Sequence, residues 1–529
     1  MRGVPAGMKP PKPFPFYPLL FAIFPVLSLL GHNIQELEAG AANRSLLVVV
    51  IGTLLVWGLW GLVTRSWAKS ALLTAFFLLL FYTYGGVQNL SHGGNNFALF
   101  IGANYILLPI WTIVWVDGSY LIHKKFRYQE NQIKIFNALS IFLLIMPIFQ
   151  VVSYHVKMRD ISMDGILQDG NFSPADLVSP QNPPDIYLIV LDSYTREDVL
   201  KEMYGLDNQP FVNALSNLGF YVAPCSLSNY SHTPLSLSSM LNMDYHQNMD
   251  PAFPPKGYND LPRYYELVKH NLVRANLEEL GYKTVSIVAY QPIVWNDADV
   301  YYPTDPEYVA SKKGVSYLTQ FERMLGRKTV LKPLFDIAIN RQYNLTIPSN
   351  YPYEDQVRIH WYLFEKLNEI IEIPGPKFVF IHINIPHPPF YFHADGSIIE
   401  NPKILSWEGG IPWRDSMDEY AEAVEYVNSQ ILPFIEKLVQ SDTPPMIILQ
   451  GDHGYDVPNR LAILNAYFLP EAAMEKVYPD ITPVNSFRII FNEVFGGEYP
   501  ILDDASYNSP LEFKYGIEEY HETMPGCMP

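Results

Sequence analysis

The sequence predicts an α/β domain, with a mostly parallel central sheet covered by helices, carried behind five transmembrane helices. Two features predict it. Up to about residue 157 the chain reads as apolar runs broken by short polar stretches, and beyond that point polar and apolar residues mix as in a globular domain. In the second part, short β-branched runs alternate with helical apolar spacing, the pattern of parallel strands joined through helices. The 529 residues also exceed what one core usually holds, so at least two units are expected.

The apolar runs cover residues 14–30, 46–63, 71–87, 97–116 and 136–154, each approaching the roughly 20 residues needed to cross a hydrocarbon core. Lys and Arg are retained on the cytoplasmic side of such spans. Arg2, Lys9 and Lys12 precede the first run, Arg65 and Lys69 follow the second, and Lys124, Lys125, Arg127 and Lys134 follow the fourth. The alternate loops hold Arg44 against Glu36 and Glu38, or no charge. The expectation is a cytoplasmic N-terminus and five crossings, with everything after Lys157 outside the cytoplasm. Ala39-Gly40-Ala41-Ala42 also offers small residues at which a signal peptide is cleaved, an alternative that leaves the later orientation unchanged.

Charge separates the two parts. Residues 1–157 hold 11 Lys/Arg and 4 Asp/Glu, net +7, which leaves 25 against 50, net −25, for the remainder. An acidic outer part excludes nucleic acid as a partner, because phosphate backbones are gripped by basic surfaces. It also argues against broad adhesion to anionic lipid. Cys225 and Cys527 stand far apart and do not make a disulfide framework, so neither is given a role.

Residues 158–184 are polar and rich in Asp, Ser, Asn and Pro, as in a linker, and the folded domain is expected over 185–497, with 498–529 as a C-terminal tail. The runs 186–191, 378–383 and 446–450 lack the alternation of a half-wet sheet and read as buried parallel strands. A fourth strand is expected over 284–289, after a helix over 274–280, and a long helix over 419–439. The Tyr- and Pro-rich region 301–352 reads as an insertion over the site.

Each main strand is followed by residues able to do chemistry: Asp192-Ser193, His387, and Asp452-His453. Open α/β sheets bind ligands at the carboxyl ends of their strands, so the three segments are expected to converge. Gly451-Asp452-His453-Gly454 sets a carboxylate beside an imidazole, donors that suit zinc. Thr233, followed by Pro234, stands at or next to the N-cap of a helix. There it either caps the helix or meets an anion, and a nearby metal would supply the acidity its weak hydroxyl lacks.

Asp192-Ser193, Thr233 with its helix, the 385–390 segment around His387 and Gly-Asp-His-Gly together resemble the sulfatase-like branch of the alkaline-phosphatase superfamily. Five helices before an external domain make the chain similar to membrane-anchored lipoteichoic acid synthases and phosphoethanolamine transferases. The resemblance implies Thr233 as nucleophile and Asp192, Thr233, Asp452 and His453 as ligands of one divalent metal, Zn2+ or Mn2+. It implies that His387 meets the substrate or leaving group, and it places the protein in a bacterial inner membrane with a periplasmic or extracellular catalytic domain. Asn229 and Arg460 are candidates for the substrate phosphate, against a turn-forming Asn and a solvated Arg. His382 is either a site residue or a core histidine.

The departures narrow the expectation. Formylglycine sulfatases carry a Cys/Ser-x-Pro-x-Arg frame, whereas Cys225 begins Cys-Ser-Leu-Ser-Asn and aligning Thr233 with that frame puts Leu237 where Arg belongs. Asp192 stands where the lipid-linked transferases usually have Glu. No Asp-x-x-x-His supplies a second metal. The expected function is therefore phosphoryl-type transfer or phosphoester hydrolysis on phospholipid head groups or envelope glycans. The alternatives are a sulfatase of envelope polysaccharide and an inactive binding protein.

Overall fold

A computed structural model describes residues 13–34, 40–92, 104–125, 130–160, 177–250, 253–255, 261–289, 293–302, 320–333, 354–400, 416–455, 459–508, 517–521 and 527. The chain divides into two compact units, one formed by residues 1–159 with 310–350, the other by 160–309 with 351–529.

The first unit contains the apolar helices α1 (Tyr17–His32), α2 (Asn43–Thr64), α3 (Trp67–His92), α4 (Asn104–Lys125) and α5 (Glu130–Asp160). Stretches of α2 to α5 are long and apolar enough to cross a membrane, and α1 is a shorter apolar helix. Asn137 on α5 ties down the start of α1, accepting from the Tyr17 N–H at 3.1 Å and donating to the Phe14 carbonyl at 2.9 Å. The Tyr17 N–H is a group a helix start cannot pair internally, and lipid offers it no substitute. Arg65, in the left-handed conformation at φ 51°, closes α2 and lets α3 start two residues later. The fourth apolar run is displaced: residues 97–103 lie outside the described residues, and α4 extends to Lys125. Its terminal lysines favour the negative end of the helix dipole and carry long stems that reach water.

The same unit includes α6 (Gln320–Arg327), from the region read as an insertion over the site. Phe321 and Leu325, one turn apart, are buried with Val26 and Leu29 of α1 and Ala42 before α2. Arg44 and Glu322 form an ion pair. The described part of the insertion therefore packs on the apolar helices, because its buried side chains match theirs.

The second unit is built on a seven-stranded sheet of order β2-β7-β6-β1-β5-β3-β4. The strands are β1 (Ile186–Leu191), β2 (Tyr221–Val222), β3 (Lys283–Val288), β4 (Val300–Tyr302), β5 (Lys377–Ile383), β6 (Met446–Gly451) and β7 (Asn465–Phe468). β4, β3, β5, β1 and β6 run parallel, and β7 and β2 add an antiparallel edge. β1, β5 and β6 are buried at every position, which is why their sequences lack alternation. The expected helices are α8 (Leu272–Glu279) and α10 (Met417–Val439); α7 (Thr233–Asn242), α9 (Glu354–Ile371) and α11 (Pro483–Phe495) also belong to this unit. Trp295 stacks on Phe380 of β5 at 4.8 Å and donates its indole N–H to the Val268 carbonyl at 2.8 Å, so a large buried ring keeps its one polar group paired.

Within the stretch expected as a C-terminal tail, the described residues 498–508 are tied to the domain: Asp504 accepts from the Thr482 N–H at 2.8 Å, and the Tyr507 N–H donates to the Asn229 carbonyl at 2.9 Å. The cysteines left without a role form the disulfide Cys225–Cys527, their Cα atoms 5.2 Å apart across 302 residues of sequence. Sequence distance hid a pair that folding brings together.

Candidate active site

Leu191 pairs with Ile383 on one side and Gly451 on the other, so β1, β5 and β6 end in line and deliver Asp192, the 384–387 segment and Asp452 to one edge of the sheet. Two glycines allow the strand ends to close up. A Cβ on Gly451 would lie 2.3 Å from the Tyr194 carbonyl oxygen, and one on Gly454 would lie 2.9 Å from the Ala462 carbonyl oxygen. Ser193 adopts φ 66°, a costly conformation for a residue with a side chain, and its N–H donates to Asp452 Oδ1 at 3.0 Å. The His453 N–H donates to the same oxygen at 2.9 Å.

Asp192, Asp452 and His453 are buried and present ligand atoms within 4.8 Å of one another. His453 Nδ1 bonds the Gly454 carbonyl at 2.9 Å, which places the proton on Nδ1 and leaves Nε2 bare. That Nε2 lies 3.8 Å from Asp192 Oδ1, 3.5 Å from Asp452 Oδ2 and 3.3 Å from Thr233 Oγ1. Thr233 is the first residue of α7, whose N-cap is His232, so the cap sits one residue earlier than Thr233. The whole of α7 is buried.

The electrostatics fit a cation among these groups. Burial and the neighbouring Asp452 charge push the Asp192 carboxyl well above its ordinary range. Burial, aided by Arg460, pushes His453 well below its usual value. Asp452 Oδ2 is buried without a hydrogen-bond partner. A divalent ion would answer the crowded carboxylates and the orphaned oxygen together, and two carboxylates, one bare imidazole nitrogen and a hydroxyl suit Zn2+ or Mn2+.

The remaining candidates divide. Arg460, read as either a phosphate partner or a solvated Arg, is buried: Nε donates to the Ser231 carbonyl at 2.8 Å, Nη1 to the Tyr455 carbonyl at 2.9 Å, and Nη2 lies 3.3 Å from His453 Nε2. His382 is a fully buried strand residue with Nε2 3.7 Å from Asp192 Oδ2, behind the cluster. His387 is only partly exposed, is pushed down to about 4 by burial and by Arg460, and bonds the Pro388 carbonyl through Nδ1, leaving Nε2 as a proton acceptor. Asn229 does not join them. Its amide donates to Thr482 Oγ1 and the Ala505 carbonyl, both at 2.9 Å, and its oxygen accepts from the Val484 N–H at 2.9 Å. With both ends engaged in the fold, Asn229 is a clamp on the loop before Thr233.

Sequence reasoning missed two contributors. His232, held neutral at about 3 by burial and Arg460, sits beside Thr233 and was overlooked despite that adjacency. Tyr420 on α10 donates to the Ser193 carbonyl at 2.8 Å and accepts from the Thr195 N–H at 3.1 Å, supporting the strained turn. Nothing local to Tyr420 signals this.

A family model described as Sulfatase matches residues 184–485, which hold the whole cluster. The chain belongs to the sulfatase family. The sulfatase-like family is metal-dependent and lies within the alkaline-phosphatase superfamily. No curated protein sequence matches this sulfatase-family chain significantly. Among solved structures, it is similar to the C-terminal periplasmic domain of EcEptC from Escherichia coli in complex with Zn, at 14% identity over 66% of this chain and 97% of that one, TM-score 0.40. It is also similar to the integral membrane lipooligosaccharide phosphoethanolamine transferase A (EptA) from Neisseria meningitidis, at 11% identity over 90% and 95%, TM-score 0.39. A phosphonate monoester hydrolase of Agrobacterium radiobacter follows at 12% identity over 61% and 79%, TM-score 0.38.

Proposed function

We propose that this sulfatase-family chain is a membrane-anchored, metal-dependent enzyme that transfers a phosphoryl-containing group through Thr233, with a phospholipid head group as donor and an envelope glycan or water as acceptor. The observation that carries the reading is Thr233 Oγ1 at the start of a buried helix, 3.3 Å from the bare Nε2 of His453 and beside two carboxylates. Asp192, Thr233, Asp452 and His453 would hold one Zn2+ or Mn2+, which when bound supplies the positive charge that makes the threonine hydroxyl reactive. Thr233 Oγ1 attacks phosphorus, the ester bond to the donor alcohol breaks, and the acceptor hydroxyl then displaces the threonine. The proton released by Thr233 Oγ1 passes to the leaving oxygen by way of His387 Nε2 in the first half, and the acceptor's proton returns to Thr233 Oγ1 through the same atom in the second. Arg460, fixed by two carbonyls, faces the negative charge of the phosphoryl oxygens. Sulfate-ester hydrolysis is disfavoured because a threonine stands where formylglycine chemistry requires Cys or Ser.

The same reading places the second unit in the periplasm or outside the cell. Supporting it, the Cys225–Cys527 disulfide belongs in an oxidising compartment, and α6 packs at the ends of α1 and α2 that the loop charges put outside. Mass spectrometry of His387→Ala incubated with envelope lipid is expected to find a phosphoryl-containing adduct on the peptide bearing Thr233, its mass identifying the donor. Thr233→Ala should carry no adduct and lose activity. Substantial turnover by Thr233→Ala would reject the covalent route and leave Thr233 a structural residue.

A further inference from the structure

The segment that joins the apolar helices reverses the charge of its surroundings. Residues 158–529 carry net −25, yet residues 310–350 within them hold seven Lys/Arg against two Asp/Glu, net +5. A basic stretch there is compatible with an outside location, since the retention of Lys and Arg acts on short loops and spares long translocated domains.

The described part of this stretch is docked closely on α3. The Gly85 N–H donates to the Lys328 carbonyl at 3.1 Å, and the Val330 N–H donates to the Phe81 carbonyl at 2.9 Å. A Cβ on Gly85 would lie 2.1 Å from the Arg327 carbonyl oxygen, so the approach requires glycine. Phe81 and Gly85 lie 14 and 18 residues into α3, about 20–27 Å along its axis. For a helix entering from the cytoplasmic side, that is the outer third of a hydrocarbon core of about 30 Å. Lys328 is exposed at this level and Arg327 beside it is partly buried, its Nε shielded from solvent, while Phe321 and Leu325 pack inward. Long cationic side chains at such a depth extend towards the headgroup layer, where phosphate is the abundant anion.

We propose that Arg327 and Lys328, held on α3 by Phe81 and Gly85, form a binding site for the phosphate of an anionic phospholipid in the leaflet at the C-terminal end of α3. The orientation proposed above decides only which leaflet supplies the lipid. The site confines lipid adhesion to one basic element of an otherwise acidic outer part.

The test is lipid binding by the full chain in neutral detergent, read as the rise in melting temperature on titration with short-chain phosphatidylglycerol or phosphatidylcholine. The wild type is expected to respond at about 25-fold lower phosphatidylglycerol than phosphatidylcholine, the joint effect of two basic side chains. Each basic side chain near an anionic surface contributes about fivefold in affinity, so Lys328→Gln should weaken the phosphatidylglycerol response about fivefold and Arg327→Gln/Lys328→Gln about 25-fold. Gly85→Val keeps every charge but displaces the segment, and it should lose the preference as well. Lys124→Gln/Lys125→Gln, at the opposite end of the helices, should keep it. Equal responses to the two lipids in the wild type would overturn the proposal, as would an undiminished preference in both Lys328→Gln and the double variant. A double variant that melts lower without lipid yet keeps the phosphatidylglycerol increment would assign the charges to protein contacts instead. Binding is read without turnover, so this result and that of the Thr233 experiment are independent.

Discussion

Asp452 divides its labour between two oxygens: Oδ1 accepts two backbone N–H groups, which fixes the carboxylate, and the buried Oδ2 is left for a cation. Removing it or the bare imidazole beside it should empty the site while leaving the strands in place. Elemental analysis of the purified protein is expected to give about one transition metal per chain, with clearly lower occupancy in Asp452→Ala and His453→Ala. Full occupancy in both would put the metal elsewhere. Asn229 should behave in the opposite way. Its side chain makes three bonds of 2.9 Å inside the fold, and leaving those partners unpaired costs on the order of 2–4 kcal/mol. Asn229→Ala should therefore melt earlier and retain its metal. An unchanged melting temperature with lost turnover would return Asn229 to the substrate.

At the scale of elements, two buried histidines make the second unit sensitive to acid. His246, which bonds the Leu235 carbonyl at 2.9 Å and stacks among Tyr230, Phe253 and Tyr264, is pushed down to about 4 by burial, and so is His360 on α9. Both stay neutral in the folded protein, whereas in the unfolded chain each takes up a proton near 6.5. Stability should be level above that value and fall as pH drops from 6.5 towards 4, by up to about 1.4 kcal/mol per pH unit per histidine. The urea midpoint measured from pH 7.5 to 4.5 checks this, and His246→Gln should flatten part of the slope. An equally steep fall in that variant would assign the acid sensitivity to other groups. The strands that carry the site were legible because burial on both faces writes itself as an unbroken apolar run, as in β1, β5 and β6. The candidate ligands Asp192 and Asp452 stood out because each directly follows such a run, whereas Thr233 follows none. The clamp on Asn229 was not legible, since its partners stand more than 250 residues away. The place of α6 was hidden for a similar reason, as Phe321 and Leu325 match any apolar surface until Val26 and Leu29 are brought beside them.

For the whole molecule, the arrangement of charge and span makes one directional statement. Fusion of a reporter that works only outside the cytoplasm should give activity after Lys157 and silence after Lys125, and the reverse pattern would move the proposed chemistry to the cytoplasmic face. The two units are also interleaved in the chain, because residues 310–350 leave the second unit to complete the first. This bears on how the protein is made and handled. The membrane helices emerge from the ribosome long before the segment that covers Val26 and Leu29, so assembly of the first unit must wait for much of the second to be translocated. A soluble version beginning at residue 160 would carry Phe321 and Leu325 without the surfaces that bury them, an invitation to self-association. Replacing 310–350 by a short polar turn, between the end of β4 and the start of α9, is the more promising route to a monomeric catalytic unit.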